Sequence, residues 1–136
     1  YFYAVTAIDA TANESSQSPL ITATPRAPGS GPTSVSITGI VVSAVKAGGG
    51  GRKRGRAAVT VTDDFGDPVE GAVVTGRFTG SLTETVSGST GANGSVVLDT
   101  TSTKKGGLSL TFCVDDVQAA GLLYQPSGNS ESCDTN

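Results

Sequence analysis

Cys113 and Cys133 are the two cysteines of this chain. In an oxidising compartment they would most simply pair. The loop closed between them would then stabilise the fold by roughly 3 kcal/mol of chain entropy. In a reducing compartment the same residues would be two buried thiols. The second chemical cluster is acidic: Asp63, Asp64, Asp67 and Glu70 crowd one stretch, and carboxylate oxygens suit Ca²⁺. Their spacing is not that of an EF-hand loop and Pro68 interrupts it, whereas Asp, Gly and Pro are what a chain reversal needs for its own geometry. Asp115 and Asp116 are adjacent, so in a strand they would face opposite ways. A hydrolase built on paired carboxylates would need a cleft, and nothing in the sequence supplies one.

A third group is basic. Ala47 to Arg56 (AGGGGRKRGR) reads as a glycine loop ending in Arg52, Lys53, Arg54 and Arg56. Three readings stand side by side: a solvated surface loop, a contact for a polyanion, or a cleavage site for a basic-specific protease. It is not a phosphate-binding P-loop, because the lysine lacks the required spacing and no Ser or Thr follows it. Asn13 and Asn93 each satisfy the N-x-[ST] rule for glycosylation, and both fall in expected turns. In a sequence so rich in Ser and Thr, chance also produces such triplets.

The absences narrow the field. With no His, the described chemistry includes no imidazole base, no His metal ligand and no Ser-His-Asp triad. With no Trp and 5% aromatics, a flat stacking platform for sugars or bases is not expected. The net charge of −3 argues against general affinity for nucleic acid. No apolar run reaches the length of about eighteen residues that a membrane span requires. No catalytic residue, cofactor or metal is expected, and the chain is read as non-enzymatic. Tyr1 opens within an apolar alternation without Met or leader, so a processed or truncated piece is expected.

The elements that must carry these residues are strands. The chain has 136 residues, 19 of them Gly, and a charged fraction of 15%, which suits short β-branched strands joined by tight turns. Ala57 to Gly80 places two alternating runs around the DDFGDPVEG reversal. Val59 and Val61 are expected inward on the first run, and Ala72, Val74, Gly76 and Phe78 on the second. Val35 to Lys46 reads as a first strand crossing from one sheet to the other, with a kink or bulge at Gly39. Strands are expected over Thr83–Val86, Ser95–Thr100 and from Leu108 through Val114. One helical turn is expected within Asp115–Gly121, then a last strand from Leu122 to Cys133 broken by Pro126 and Gly128. The sum is an all-β sandwich of about seven strands.

Upstream, Tyr1–Asp9 and Pro19–Pro25 read as a hairpin, and Arg26 to Thr33 (RAPGSGPT) as a semi-extended linker. The expected organisation is a hairpin over 1–25, a linker over 26–33 and a sandwich domain over 34–136. Because a lone hairpin is marginal in water, its apolar positions Tyr1, Tyr3, Val5 and Ile8 form a candidate docking or assembly surface.

Two resemblances accompany these patterns. Tyr3, Val5, Ala7, Asp9, Asn13, Glu14 and Ser15 resemble the ending of a fibronectin type III domain, with Thr11-Ala12 in place of its usual small-residue/glycine step. DDFGDPVEGAVVTGRFTG resembles the signature of bacterial immunoglobulin-like modules of invasin-type adhesins and of accessory domains of secreted enzymes. Asp64 or Asp63, Gly66 or Asp67, Pro68, Val69, Gly71, Ala72 and Val74 carry it. The later TGANGSVVL and LTFCVDDV…YQPSGNSESC look like the closing strands of small immunoglobulin-like domains trailing secreted subtilisin-class proteases. There Cys113 and Cys133 would be the matching pair. The resemblance implies an immunoglobulin-like sandwich in an extracellular protein, secreted or on the cell surface. It also implies a spacer, stabiliser or adhesive role, with neighbouring domains or subunits as partners through β-sheet packing and a cell-surface or polysaccharide ligand. The alternative is a subunit of an extracellular filament in which residues 1–25 complete a sheet on a neighbour.

Overall fold

The Val/Ile-rich run that opens the second module becomes β3 (Ser34–Lys46), and its pairing explains its uneven apolar spacing. Val35 and Ile37 are buried, and so are Ile40 and Val42, although the two pairs differ in parity along the strand. A bulge between Ile37 and Gly39 supplies the extra residue that keeps all four on the core side. β3 does not cross between sheets, contrary to the sequence expectation. It stays antiparallel to β4 (Arg52–Asp63) from Val35 opposite Asp63 to Lys46 opposite Lys53.

The computed structural model describes residues 2–3, 15, 21–22 and 31–136. The chain divides into two units, Tyr1–Gly31 and Pro32–Asn136. In the first, β1 (Phe2–Tyr3) pairs antiparallel with β2 (Ile21–Thr22). Tyr1, Val5, Ile8 and Asn13 lie outside the described residues, as does the side chain of Tyr3.

The second unit is an all-β sandwich. After β4 come β5 (Val73–Gly80), β6 (Glu84–Ser89), β7 (Ser95–Asp99), β8 (Lys104–Lys105), β9 (Leu110–Gln118), β10 (Leu123–Tyr124) and β11 (Cys133–Thr135). One sheet has the order β10-β3-β4-β7, with β8 also on β4, and the other runs β11-β9-β5-β6. All of these pairs are antiparallel except β10 with β3, which is parallel.

The core lies between the inner faces. Val59 and Val61 of β4 meet Val74 and Phe78 of β5, Val96 and Leu98 of β7, and Leu110 and Phe112 of β9. Burying each such side chain contributes about 1.5–3 kcal/mol. Phe78 and Phe112 sit with ring centroids 4.8 Å apart, tilted by 53°. Glycine makes room for these rings: a Cβ on Gly76 would come within 2.3 Å of Phe112 Cζ, and one on Gly55 within 3.2 Å of Phe78 Cε1.

Two expectations fail at the C-terminal end. Asp115–Gly121 holds no helical turn. β9 continues to Gln118 through a bulge, because Thr75 pairs with Asp116 while Gly76 pairs with Val114. The bulge restores an inward position for Val117, which is buried. The expected last strand is two short ones joined by a 3₁₀ turn at Pro126–Gly128. The ring of Pro126 fixes φ and removes a donor, so a continuous ladder breaks there. It is this segment that changes sheets: β10 pairs with β3, and β11 pairs with β9.

Candidate functional site

The two cysteines form a disulfide. Cys133 lies directly opposite Cys113 in the β11–β9 ladder, and Val114 N donates to Ser132 O at 2.9 Å. The bridge therefore occupies a non-hydrogen-bonded pair, where side chains approach most closely. It joins neighbouring strands of one sheet and does not tie the two sheets together. Cys113 is partly exposed and Cys133 exposed.

The β4–β5 reversal uses its acids on its own backbone. Asp63 Oδ1 accepts from Phe65 N and Asp67 N, both at 2.9 Å. Asp64 accepts from Thr33 N at 3.1 Å and from Thr33 Oγ1 at 3.0 Å. Desolvation works against the charged form of Asp64, but these hydrogen bonds outweigh it and its pKa is lowered. Asp67 and Glu70 are exposed. Among the described residues no group of three or more His, Cys, Asp or Glu is placed to hold a metal ion.

Asp115 and Asp116 do not face opposite ways as expected, because the β9 bulge turns both outward. Asp115 Oδ1 accepts from Arg77 at 3.0 Å, and Asp116 Oδ2 accepts from Gln118 Nε2 at 3.1 Å. Asn93 is exposed in the turn before β7, and its Oδ1 accepts from Ser95 N at 3.1 Å.

The opposite end of β4 is basic, and it is not the loop that the sequence suggests. Only Ala47–Gly51 turns; Arg52–Arg56 belong to β4. Gly48, Gly50 and Gly51 have positive φ of 71–74°, which only glycine adopts without strain. Lys53 is paired on both sides, with Lys46 of β3 and Lys104 of β8, and Arg52 pairs with Lys105. A protease needs a free extended segment, so this double pairing disfavours cleavage at Arg52–Arg54. Arg56 and Arg54 share Asp99, at 2.7 Å and 3.2 Å. The hydrogen bond from Arg56, with help from both guanidinium charges, holds the Asp99 carboxyl below its ordinary range. Thr100, buried beside it, accepts from Gly55 N at 3.0 Å and donates to Ser102 O at 2.9 Å. Glu84 fastens the next residues, accepting from Thr101 N at 2.8 Å and Ser102 N at 3.1 Å, and these bonds lower its pKa.

Lys104 and Lys105 are the members of this end that sequence reasoning missed. They lie some fifty residues from Arg52, and only the β8–β4 register brings them in. The acceptors on the β3 edge were missed as well. Asn129 Oδ1 accepts from Ile37 N at 2.8 Å and Asp134 Oδ2 from Val42 N at 2.9 Å, while Glu131 Oε1 takes Ile40 N between them. The run of polar residues after Pro126, eight of the ten through Asn136, was the available signal.

An open, largely apolar groove of about 570 Å³ lies among Val73, Asp116, Gln118, Leu122, Leu123 and Tyr124. Leu123 is the most exposed large apolar residue there, at 76%.

Neither a family model, a curated protein nor a solved structure matches the chain. Among the described residues no helix is long and apolar enough to cross a membrane.

Proposed function

We propose that this chain is a non-catalytic extracellular module of a larger secreted or cell-surface protein, serving as a spacer, stabiliser or adhesive unit. The observation that carries this reading is that Thr33 and Asn136 are held near opposite ends of β4. Thr33 is tied to Asp64 at one end of β4. Asn136 exchanges hydrogen bonds with Leu110, whose side chain lies over Gly55 near the other end. Eight residues of β4 separate Gly55 from Asp63, about 26 Å of strand. Force applied between residues 33 and 136 is thus carried along the length of the sheets. The strand orders β10-β3-β4-β7 and β11-β9-β5-β6 support an immunoglobulin-like arrangement. The disulfide supports an oxidising compartment.

Single-molecule pulling between residues 32 and 136 tests the reading. A discrete unfolding step is expected, with the contour gain about 70 Å shorter in the oxidised protein, because the disulfide spans a separation of 20 residues. Featureless extension would sink the spacer reading. Sedimentation of the whole chain at rising concentration addresses the filament alternative: a monomer is expected, and concentration-dependent growth would favour assembly through residues 1–25.

A further inference from the structure

The basic end gathers like charges that the fold does not neutralise. Lys46, Lys53 and Lys104 form one row across three strands on one face of the sheet, and Arg52 stands opposite Lys105 on the other face. Like charges held directly opposite destabilise a sheet. Asp99 answers Arg54 and Arg56, but none of the four lysines has an acidic partner among the described residues. The glycine turn next to them carries no side chains, so a ligand can approach the backbone there. Lys46, Gly48, Gly51, Arg52 and Lys53 line a pocket of about 330 Å³, at the lower limit of ligand-sized sites.

We propose that this end binds an acidic polysaccharide, with Lys46, Lys53 and Lys104 holding its carboxylate or sulfate groups. The row is about 10 Å wide, two inter-strand spacings, so it meets successive charges of a linear polymer. Arg52 donates to Thr103 Oγ1 at 3.1 Å and steadies the β8 segment that presents Lys104. Nucleic acid fits less well. No aromatic side chain stands among residues 46–56 or 99–105 for bases to stack on. A second copy of the chain also fits less well, because Asp63 and Asp64 at the opposite end are spent on backbone hydrogen bonds. The inference rests on the extracellular reading for its choice of polymer. Pulling and sedimentation test the module reading separately, so failure to bind would leave that reading standing.

The test uses the oxidised chain, with dextran sulfate and polygalacturonate as probes, neutral dextran as control, and single- and double-stranded DNA as competitors. Binding of at least one anionic glycan is expected, weakening as salt rises. The variant K46Q/K53Q/K104Q is expected to bind at least about tenfold more weakly, with the salt slope reduced by about three. D67N/E70Q, at the far end, should bind like the parent. Thermal melting checks the fold: relieving the repulsion should leave the lysine variant at least as stable as the parent, and dextran sulfate should raise the melting temperature of the parent alone. If the triple variant does not fold, K53Q read in the same assays serves in its place. No retention of either glycan at low salt would overturn the proposal. So would tighter binding of DNA than of both glycans, or self-association abolished by D67N/E70Q.

Discussion

At the scale of single residues, a glycine and two acids show how the fold spends its chemistry. Gly76 faces inward and lies under Phe112, with space for a hydrogen and no more. Gly76→Ala would force the ring or the Cys113 carbonyl to move, an overpacking cost of about 1–3 kcal/mol. The expected result is a lower melting temperature in calorimetry with unchanged strand content. Asp99 and Glu84 titrate below their ordinary values because they accept hydrogen bonds in the folded state. A carboxyl whose pKa is depressed by folding stabilises the protein above its unfolded value, about 4. That contribution is lost as the pH falls through the lower folded value. Stability should therefore decline on acidification below about pH 4. In Asp99→Asn and Glu84→Gln the acid-side slope should be shallower, measured by urea unfolding at stepped pH. A slope identical to the parent's would show that these bonds do not matter.

At the scale of elements, the segment after Gly121 does two jobs. It seals the outer edge of β3 with side-chain acceptors, and it completes the second sheet through β11. An unpaired strand edge is a template for another chain. The variant N129A/E131A/D134A should free the amides of Ile37, Ile40 and Val42, and its oligomer fraction in light scattering should rise above the parent's. The disulfide belongs to the same segment. Reduction and alkylation should lower the melting temperature, by up to roughly 3 kcal/mol of stability, and amide exchange should quicken first in β11. An unchanged melting curve would contradict the cross-strand bridge.

Considered as a whole molecule, the sandwich was legible in the sequence wherever alternation was unbroken. Val59 and Val61, Val74 and Phe78, and Val96 and Leu98 face inward as their spacing predicts, because a pleated strand buries every second residue. The pattern misleads where the ladder slips by one residue. At Asp115 the slip resembled a helical turn, and after Gly121 the Pro126 break hid which strand changes sheets. The candidate sites were less legible. Arg52–Arg56 looked like loop because glycines precede them, and the role of Lys104 exists only through a pairing that local sequence cannot reveal.

Charge is also sorted along the Pro32–Asn136 unit. Asp63, Asp64, Asp67 and Glu70 stand at one end of β4, and Lys46, Arg52, Lys53, Arg54, Arg56, Lys104 and Lys105 stand at the other. Such a body carries a permanent dipole roughly parallel to its sheets. In dilute salt, near a negatively charged surface, it experiences a torque before it makes contact and arrives with the glycine turn leading. Within a Debye length of about 8 Å at physiological salt, that alignment selects which end touches first.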